Sequence, residues 1–504
     1  MDNYLSPLKG WIVLDFIFYA LFTFCGALLP YFTKLLVEGA YQTSLLGYVL
    51  SVMGLLLFAY LANLTQWKYS VQFSTALKND YFQTLTQMPA AQFYQKTAAG
   101  YISYQANDLE ALEKDYLPPL FDLFKSGLRI LIYGGVIALG ISWQVGALLV
   151  ICSVLSIQIP KLTGSKVAEK RGLYLKSQQG YFSKLEDLLL GFSKLNAMTA
   201  TNFKKQQATS LEKLQETYFD YGKMKSFGLV LNSLAAYLTN VVLLVYLVYG
   251  LTQHKLAVGD AVASIGYITA FSEPIESFLY DLNMLASVRQ VKEDFLEKVA
   301  LSGVDRQIKT IEQAIFLQAV QIKQGVFSLS IDHLRLEKGK KYLLIGENGC
   351  GKSTFLRLLA GELSASKGTV FVDGTPVGAQ ELDGAFAKIR QTEHTFAASV
   401  ADNLSVFDTY PVPRKVATQN AKDLSGGQKQ LLQLERVALE ASNVWLLDEP
   451  FSALDENHTE QALAKIIASP ALVIVIMHHP QKYRAYFDGV LEIRDGKVYE
   501  NGSL

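Results

Sequence analysis

A glycine-rich turn in the second half of the sequence has the residue types needed to hold a phosphate. The stretch reads KKYLLIGENGCGKSTFLRLLAGEL, in which an apolar run precedes the turn and a helical pattern follows it. Glycines let successive backbone N–H groups point inward and form an anion site at the positive end of a helix. The spacing Gly346-x4-Gly351-Lys352-Ser353 in this context predicts a P-loop. Lys352 is then expected to reach the β- and γ-phosphates, and Ser353 to place its hydroxyl on Mg²⁺. The residues predicted to contact the nucleotide in this loop are Gly346, Glu347, Asn348, Gly349, Cys350, Gly351, Lys352, Ser353 and Thr354.

A second group of chemically capable residues ends the stretch NVWLLDEP. Its apolar residues predict a buried strand, and Asp448 at the end of this strand is positioned to order Mg²⁺. The adjacent Glu449 can polarise the water that attacks the γ-phosphorus, since phosphoryl transfer depends mostly on positioning and charge stabilisation. Alone this pattern is weak, but its position downstream of a P-loop makes it a specific indication of nucleotide hydrolysis.

A third stretch, KDLSGGQKQ, contains no lysine that could hold a phosphate by itself. Read alone, Ser425, Gly426, Gly427 and Gln428 form a serine–glycine turn that enters a helix. Its role depends on the elements around it.

The composition separates the chain into two parts. The sequence has 504 residues, 50% of them hydrophobic, and its 46 basic residues balance its 46 acidic ones. Long apolar runs occupy residues 1 to about 290, whereas the remainder resembles an ordinary soluble α/β sequence. The cysteines (Cys25, Cys152 and Cys350) are too few and scattered for a disulfide framework.

Six apolar stretches in the first part are long enough to cross a bilayer, which needs roughly 20 residues each. They are residues 11–36, 45–64, 119–141, 144–163, 227–250 and 258–283. The first lacks the flanks of a cleavable signal peptide, so we expect a retained anchor. The long polar segments between spans two and three and between four and five read as helices that extend into the cytoplasm. Because the second of these is rich in lysine, the positive-inside rule places both termini in the cytoplasm.

Ionisable residues inside or near these spans are functional-site hypotheses, because a charge in the bilayer is costly. They are Asp15, Asp122, Arg129, Glu273, Glu276 and Asp281. Asp15 has apolar neighbours on both sides and is the best candidate to line a cavity, which would suit a polar or cationic cargo. The alternative is that several of them lie at interfaces or in the cytoplasmic extensions.

The order P-loop, LSGGQ, LLDEP and SALD resembles the ATPase domain of ATP-binding cassette (ABC) transporters. The first part resembles the exporter branch of that family through two cytoplasmic helix pairs and the last span. The matching positions are Gly100, Ser103, Asp108, Glu186 and Gly191. The resemblance therefore covers essentially the whole chain. It implies an all-α membrane domain of six helices with long cytoplasmic extensions at residues 1–298. An α/β P-loop ATPase domain with a shortened helical subdomain is expected at residues 299–504.

The resemblance also assigns roles to individual positions. Gln391 matches the Q-loop glutamine that joins the Mg²⁺ site to the membrane domain, and Asp455 matches the D-loop aspartate. His478 matches the switch histidine that contacts the γ-phosphate, although His479 follows directly and is the alternative. Phe396, Ser399 and Asn403 fit the sequence that follows the Q-loop glutamine. The implied catalytic set is Lys352, Gln391, Glu449 and His478, and the implied metal set is Ser353, Gln391 and Asp448.

In this family the LSGGQ motif of one ATPase domain covers the nucleotide held by the P-loop of another. The resemblance therefore implies a half-transporter that exports a peptide, drug-like or lipophilic substrate with ATP and Mg²⁺. Its expected partners are a second half, identical or not, membrane lipids and the cargo, but not nucleic acid. We expect a multi-pass protein of a bacterial plasma membrane with its ATPase domain in the cytoplasm. The alternatives are an ATP-binding regulatory or sensor half with low turnover, or an importer of the same fold.

The sequence departs from the family pattern in three places. Lys323 and Gln324 stand where an adenine-stacking aromatic is expected, so adenine binding is weakened unless Phe327 or Tyr342 compensates. About 20 residues separate Asn403 from Leu424, which shortens the helical subdomain. The helix after LSGGQ also lacks some of the usual basic residues. No N-terminal peptidase domain is present, so leader-peptide cleavage is not expected.

Overall fold

The chain folds into two compact units. The structure is a computed structural model that describes residues 1–140, 143, 160–253, 257–300, 303, 306–307, 309–325, 327–412, 419–478 and 480–501. Unit 1 comprises Met1–Phe82 and Ala98–Ala300, and unit 2 comprises Gln83–Thr97 and Leu301–Leu504.

Unit 1 is helical throughout its described residues. Its helices are α1 (Asp2–Leu5), α2 (Lys9–Val37), α3 (Tyr41–Gln87, which ends in unit 2), α5 (Ala98–Ser103), α6 (Glu110–Asp115), α7 (Leu117–Gly140), α8 (Pro160–Leu190), α9 (Ala200–Thr252), α10 (Val258–Ser287) and α11 (Arg289–Ala300), while α4 (Ala90–Phe93) belongs to unit 2. Short 3₁₀ turns at Ser6–Leu8 and Gly191–Lys194 and a π-helical turn at Tyr104–Leu109 join some of them.

Two helices of unit 1 are far longer than a bilayer requires. Helix α3 has 47 residues and α9 has 53. At about 1.5 Å per residue each spans more than twice the roughly 30 Å of hydrocarbon in a membrane. Each must therefore continue well beyond one face of any bilayer that it crosses.

The proposed spans fall on these helices with one exception. Within the described residues, the segments Asp2–Val37 and Tyr41–Gln87 are long and apolar enough to cross a membrane. The proposed third, fifth and sixth spans coincide with α7, α9 and α10 in their described parts. The proposed fourth span, 144–163, lies outside the described residues except at its C-terminal end. The number of membrane crossings stays a prediction.

Contrary to the prediction from the sequence, Asp15 does not line an open cavity. Its side chain on α2 is fully buried, and its carboxylate lies 2.8 Å from the ammonium of Lys125 on α7. The Tyr69 hydroxyl of α3 donates to the same carboxylate oxygen at 3.3 Å. A buried carboxylate is tolerated when it is paired and hydrogen-bonded, so Asp15 joins three helices of the bundle.

Unit 2 is built on a ten-stranded sheet in its described part. Its strands are β1 (Ala314–Gln324), β2 (Phe327–Glu337), β3 (Lys341–Gly346), β4 (Lys367–Val372), β5 (Thr375–Val377), β6 (Ala387–Ile389), β7 (Val444–Asp448), β8 (Leu472–Ile476), β9 (Gly489–Arg494) and β10 (Lys497–Asn501), in the order β5-β4-β1-β2-β10-β9-β3-β8-β7-β6. Strands β9, β3, β8, β7 and β6 pair in parallel, whereas β2, β1, β4 and β5 pair antiparallel.

The helices of unit 2 cover the parallel part of the sheet. They are α12 (Lys352–Leu359), α13 (Ala379–Leu382), α14 (Val400–Ser405), α15 (Gly426–Leu439), α16 (Glu456–Ala468) and α17 (Pro480–Tyr483), with 3₁₀ turns at Ala421–Asp423 and Arg484–Tyr486. One core forms between the sheet and α12, through Phe355 and Leu359. The other forms beneath α15 and α16, through Val437 and Leu463. Because both faces are covered, β8 is apolar at every position and fully buried.

The shortened helical subdomain stays a prediction. The connection that follows α14 begins with a small turn of strained backbone. After α14 the residues Val406, Phe407 and Asp408 all have positive φ angles, of 47°, 55° and 64°. Left-handed backbone costs a residue with a Cβ roughly 1–2 kcal/mol. An isolated bridge between Ser399 and Asn420 holds the segment together at its base.

The segment Gln83–Thr97 packs within unit 2. Its Ala90 N–H donates to the buried carboxylate of Asp383 at 2.8 Å. The Arg306 guanidinium contacts the same carboxylate at 3.1 Å and donates to the carbonyl of Met88. The Asp383 carboxylate therefore joins α4 to Arg306, which lies shortly before β1.

Candidate active site

The predicted site residues meet at one edge of the sheet. Strands β3, β8, β7 and β6 are neighbours and run parallel, so their carboxyl ends lie side by side. The predicted P-loop follows β3, His478 follows β8, Asp448 ends β7, and Gln391 follows β6. Ligands of open parallel sheets bind at this edge, which makes it the candidate active site.

The turn after β3 has the backbone of a phosphate-binding loop. Gly346, Gly349 and Gly351 have φ angles of 151°, 82° and 111°, which a side chain would strain. The Lys352 ammonium donates to the carbonyl oxygens of Gly346 and Glu347, both at 2.8 Å. The lysine charge therefore lies over the turn at the N-terminus of α12, where an anion would be stabilised.

Asp448 and Ser353 supply the donor set expected for Mg²⁺. Burial is the chief cause that raises the pKa of Asp448, and the neighbouring Ser353 hydroxyl acts to lower it. A half-buried carboxylate beside a hydroxyl is a site that a divalent cation would neutralise. Mg²⁺ prefers few protein carboxylates and takes other ligands from water and phosphate. The described residues contain no cluster of three or more His, Cys, Asp or Glu side chains that could hold a metal ion.

Glu449 is held by two of the predicted catalytic residues. The Gln391 amide donates to its Oε2 at 3.2 Å, and the Nε2 atom of His478 lies 3.0 Å from the same oxygen. Its backbone N–H donates to the carbonyl of Ile476, and its φ angle is 52°. Two side chains and a strained backbone thus fix the orientation of one carboxylate. His479, the alternative switch residue, lies outside the described residues.

The LSGGQ residues form an exposed helix start. Ser425 caps α15 by accepting from the Gln428 N–H, and the Gln428 side chain accepts from the Ser425 N–H at 2.9 Å. Gln430 in the next turn donates to Ser452 and accepts from the Ala453 N–H, both at 2.7 Å. These bonds tie the helix start to the segment that ends at Asp455, which caps α16. Ser425, Gly426 and Gln428 are exposed to solvent at this helix start.

The two aromatic candidates for adenine binding differ in position. Phe327 begins β2, and its ring lies so close to Gly351 that a Cβ there would approach the ring to 2.5 Å. Tyr342 is buried within β3, and its hydroxyl accepts from the Glu337 N–H at 3.0 Å. Tyr342 therefore cannot compensate for the missing aromatic, whereas Phe327 lies against the P-loop.

The sequence did not reveal the surroundings of Gln391. Arg390 precedes it, stacks on the Tyr94 ring at 4.0 Å and donates to the buried Glu362. The Lys388 ammonium donates to the same carboxylate at 2.9 Å. Although burial acts to raise it, the pKa of Glu362 is lowered by these two cations. No local motif marks such a cluster, because its members are distant in sequence.

A cavity of about 260 Å³ adjoins this cluster. It is lined by Tyr94 and Arg390 on one side and by Ser353 and Asp448 on the other. The Tyr94 ring of the segment Gln83–Thr97 therefore lines the same cavity as the candidate metal ligands Ser353 and Asp448.

Family comparisons agree with this arrangement. The model of the ABC transporter transmembrane region matches residues 12–275, and the ABC transporter model matches residues 329–452. The chain belongs to the ABC transporter family. It is an ATP-hydrolysing half-transporter of the exporter type, with a helical transmembrane region fused to the ATPase domain. The predicted family, ATPase activity and fold class are confirmed, except for the number of transmembrane helices, which stays a prediction.

Several ABC relatives resemble the chain over most of its length. The beta-(1-->2)glucan export ATP-binding/permease protein NdvA of Brucella abortus is 23% identical over 412 residues, which cover 73% of this chain and 67% of NdvA. The mesentericin transport/processing ATP-binding protein MesD of Leuconostoc mesenteroides is 24% identical over 356 residues, covering 61% of this chain and 48% of MesD. A solved bacterial Atm1-family ABC exporter with ATP bound superposes with a TM-score of 0.82 at 18% identity, covering 99% of this chain and 96% of that one.

Proposed function

We propose that two such chains, or this chain and a related half, export a substrate from the cytoplasm at the cost of ATP. The observation that carries the proposal is the Glu449 carboxylate, which Gln391 and His478 hold at the edge where the P-loop ends. A half that only sensed ATP would not need a water-activating carboxylate fixed by two partners. The exporter-type relatives support the direction of transport.

Each site residue would have a separate role in ATP hydrolysis. The P-loop amides and Lys352 would bind the β- and γ-phosphates, while Ser353, Asp448 and Gln391 would hold Mg²⁺. That ion would neutralise phosphate charge. Glu449 would take a proton from the water whose oxygen bonds to the γ-phosphorus, as the bond from that phosphorus to the β–γ bridging oxygen breaks and ADP leaves. His478 would keep Glu449 oriented and contact the γ-phosphate.

The outward-facing LSGGQ residues support a dimeric unit. Ser425, Gly426 and Gly427 lie at the exposed start of α15, where N–H groups can bind an anion brought by another molecule. We propose that they cover the nucleotide of a partner half. ATP would then hold the two ATPase domains together, and hydrolysis would release them. The membrane would be a bacterial plasma membrane, with unit 2 in the cytoplasm.

Turnover of the purified chain in proteoliposomes tests this function. Wild-type protein should hydrolyse ATP at least about 100-fold faster than Glu449→Gln, because loss of a general base costs roughly 10²–10⁴-fold. Equal rates would contradict the exporter and favour a low-turnover regulatory half, which the lysine at position 323 also favours. An ATP-dependent dimer on size-exclusion chromatography of Glu449→Gln would identify a homodimer. ATP-driven uptake into inside-out vesicles would separate an exporter from an importer.

A further inference from the structure

The helical bundle of unit 1 contains more negative than positive charge within its proposed spans. Apart from the ion pair between Lys34 and Asp260 near the start of α10, the described residues of these spans carry three cations and five carboxylates. The cations are Lys125, Arg129 and, at the end of the proposed fourth span, Lys161; the carboxylates are Asp15, Asp122, Glu273, Glu276 and Asp281. An intramembrane charge is costly and marks a functional site by default.

These charges form two levels along α7 and α10. Asp122 and Arg129 are seven residues apart, so they share one face of α7 about 10 Å apart along its axis. On α10, Glu273 pairs with Arg129 at 2.9 Å, and Asp281, eight residues further along the same helix, is close enough to Asp122 for the two negative charges to repel each other. One level consists of Arg129 and Glu273, whose opposite charges balance each other.

The other level is not balanced. We call it the acidic layer; it consists of Asp15, Asp122, Lys125 and Asp281. The Lys125 ammonium lies 2.8 Å from Asp15 and 3.7 Å from Asp122, so one cation serves two carboxylates. Asp281 adds a third carboxylate, which leaves the layer short of positive charge.

Two carboxylate oxygens of the acidic layer are buried without a hydrogen bond. Asp281 is 5% exposed, and its Oδ2 has no partner. The Oδ1 of the fully buried Asp15 is also unpartnered. A buried oxygen without a partner is costly, and a cation between Asp281 and Asp122 would remove that cost. The Asp122 side chain is 40% exposed and is therefore the accessible carboxylate of the layer.

Aromatic rings accompany the charges. The Tyr19 ring lies 5.4 Å from the Lys125 ammonium, and the Tyr133 ring lies 5.6 Å from the Arg129 guanidinium. Both distances suit cation–π attraction, for which aromatic faces bind organic ammonium groups. Carboxylates of the acidic layer, with the Tyr19 face beside Lys125 and the Tyr133 face at the level of Arg129, form an environment for an organic cation and not for an anion or a neutral sugar.

We propose that the cargo is an organic cation that binds at the acidic layer between Asp122 and Asp281. The proposal rests on the exporter function proposed above and specifies its substrate class. The positive group of the cargo lies beside Asp281, and its apolar part contacts the tyrosines of α2 and α7.

Two probe ions of the same size and opposite charge test the proposal. Tetraphenylphosphonium and tetraphenylborate are added separately to full-length protein in proteoliposomes, and ATPase stimulation and equilibrium binding are measured. The phosphonium should bind and stimulate turnover, whereas the borate should do neither. Asp281→Asn and Asp122→Asn should each raise the half-maximal phosphonium concentration by about tenfold, which corresponds to about 1.4 kcal/mol.

Asp220→Asn provides the matched control, because Asp220 is exposed and pairs with Lys170 outside the proposed spans. It should respond to the phosphonium like the wild type. If Asp281→Asn fails to fold, Asp281→Glu keeps the charge and should retain the response. Equal effects of the two ions, or no effect of either on a protein with basal turnover, would overturn the cation proposal and leave ATP hydrolysis standing. Absence of basal turnover would instead contradict the exporter function.

Discussion

Replacing Tyr94 with alanine should slow ATP hydrolysis without weakening ATP binding. Tyr94 stacks on Arg390 at 4.0 Å, and Arg390 directly precedes Gln391, whose amide holds Glu449 at 3.2 Å. Removal of the ring frees one side of Arg390, so that Gln391 and Glu449 are less well fixed. The phosphate-binding loop itself is unchanged.

The size of the effect follows from the stacking energy. A cation–π pair contributes roughly 0.5–1 kcal/mol when exposed and about 2 when desolvated. Tyr94 is 47% exposed, which favours about 1 kcal/mol. If the transition state loses this stabilisation of about 1 kcal/mol completely, kcat falls about fivefold. A loss of about 2 kcal/mol sets the upper limit, which is about thirtyfold. KM for ATP should stay within about twofold.

Steady-state ATPase rates of full-length protein in proteoliposomes measure this effect. Tyr94→Phe keeps the ring and should match the wild type. Arg390→Lys keeps a charge for Glu362 but loses the planar stack, so it should resemble Tyr94→Ala. The double variant should be little worse than either single one, since both remove the same contact. A wild-type kcat in Tyr94→Ala, or equal losses in the alanine and phenylalanine variants, would refute the reasoning.

Three further predictions concern unit 2. Phe327→Ala should raise KM for ATP by at least about fivefold, because stacking of a base on a ring contributes about 1–3 kcal/mol; an unchanged KM would show that Phe327 does not contact the base. Lys341→Met should lower the melting temperature of unit 2 by roughly 5–10 °C. Its buried ammonium donates to three backbone carbonyls at 2.6–2.9 Å, which the variant leaves unpaired, and an unaltered melting curve would contradict this. Burial raises the pKa of Glu440 to about 7, so the folded state binds a proton that the unfolded state releases near pH 4.5. Stability should therefore fall as pH rises from 5 to 8. Glu440→Gln should remove that decline in pH-dependent melting curves, whereas parallel curves for the two proteins would argue against it.

The residues that could be predicted from the sequence are those fixed by local backbone geometry. Gly346, Gly351 and Lys352 must follow a strand and begin a helix, and this order is visible in the chain itself. Asp448 and Glu449 end an apolar run that can only be a buried strand. Parallel packing of β3, β7 and β8 then brings these residues to the same edge, as the structure shows.

What could not be predicted depends on contacts between distant segments. Tyr94 and Arg390 are almost 300 positions apart and belong to no motif. The pairing of Lys125 with Asp15 cannot be predicted from the sequence, because an isolated lysine in an apolar stretch carries no periodic signal. The choice between Phe327 and Tyr342 required the direction of each side chain from the sheet, which the position of neither residue in the sequence reveals.

The left-handed backbone of Glu449 destabilises the fold locally, although the proposed hydrolysis requires the carboxylate of this residue. Glycine adopts a φ angle of 52° without cost, whereas glutamate is strained there. Variants selected only for heat resistance should therefore accumulate glycine or asparagine at position 449, and every such variant would lose the carboxylate. Selection for turnover and selection for stability should therefore favour different residues at position 449.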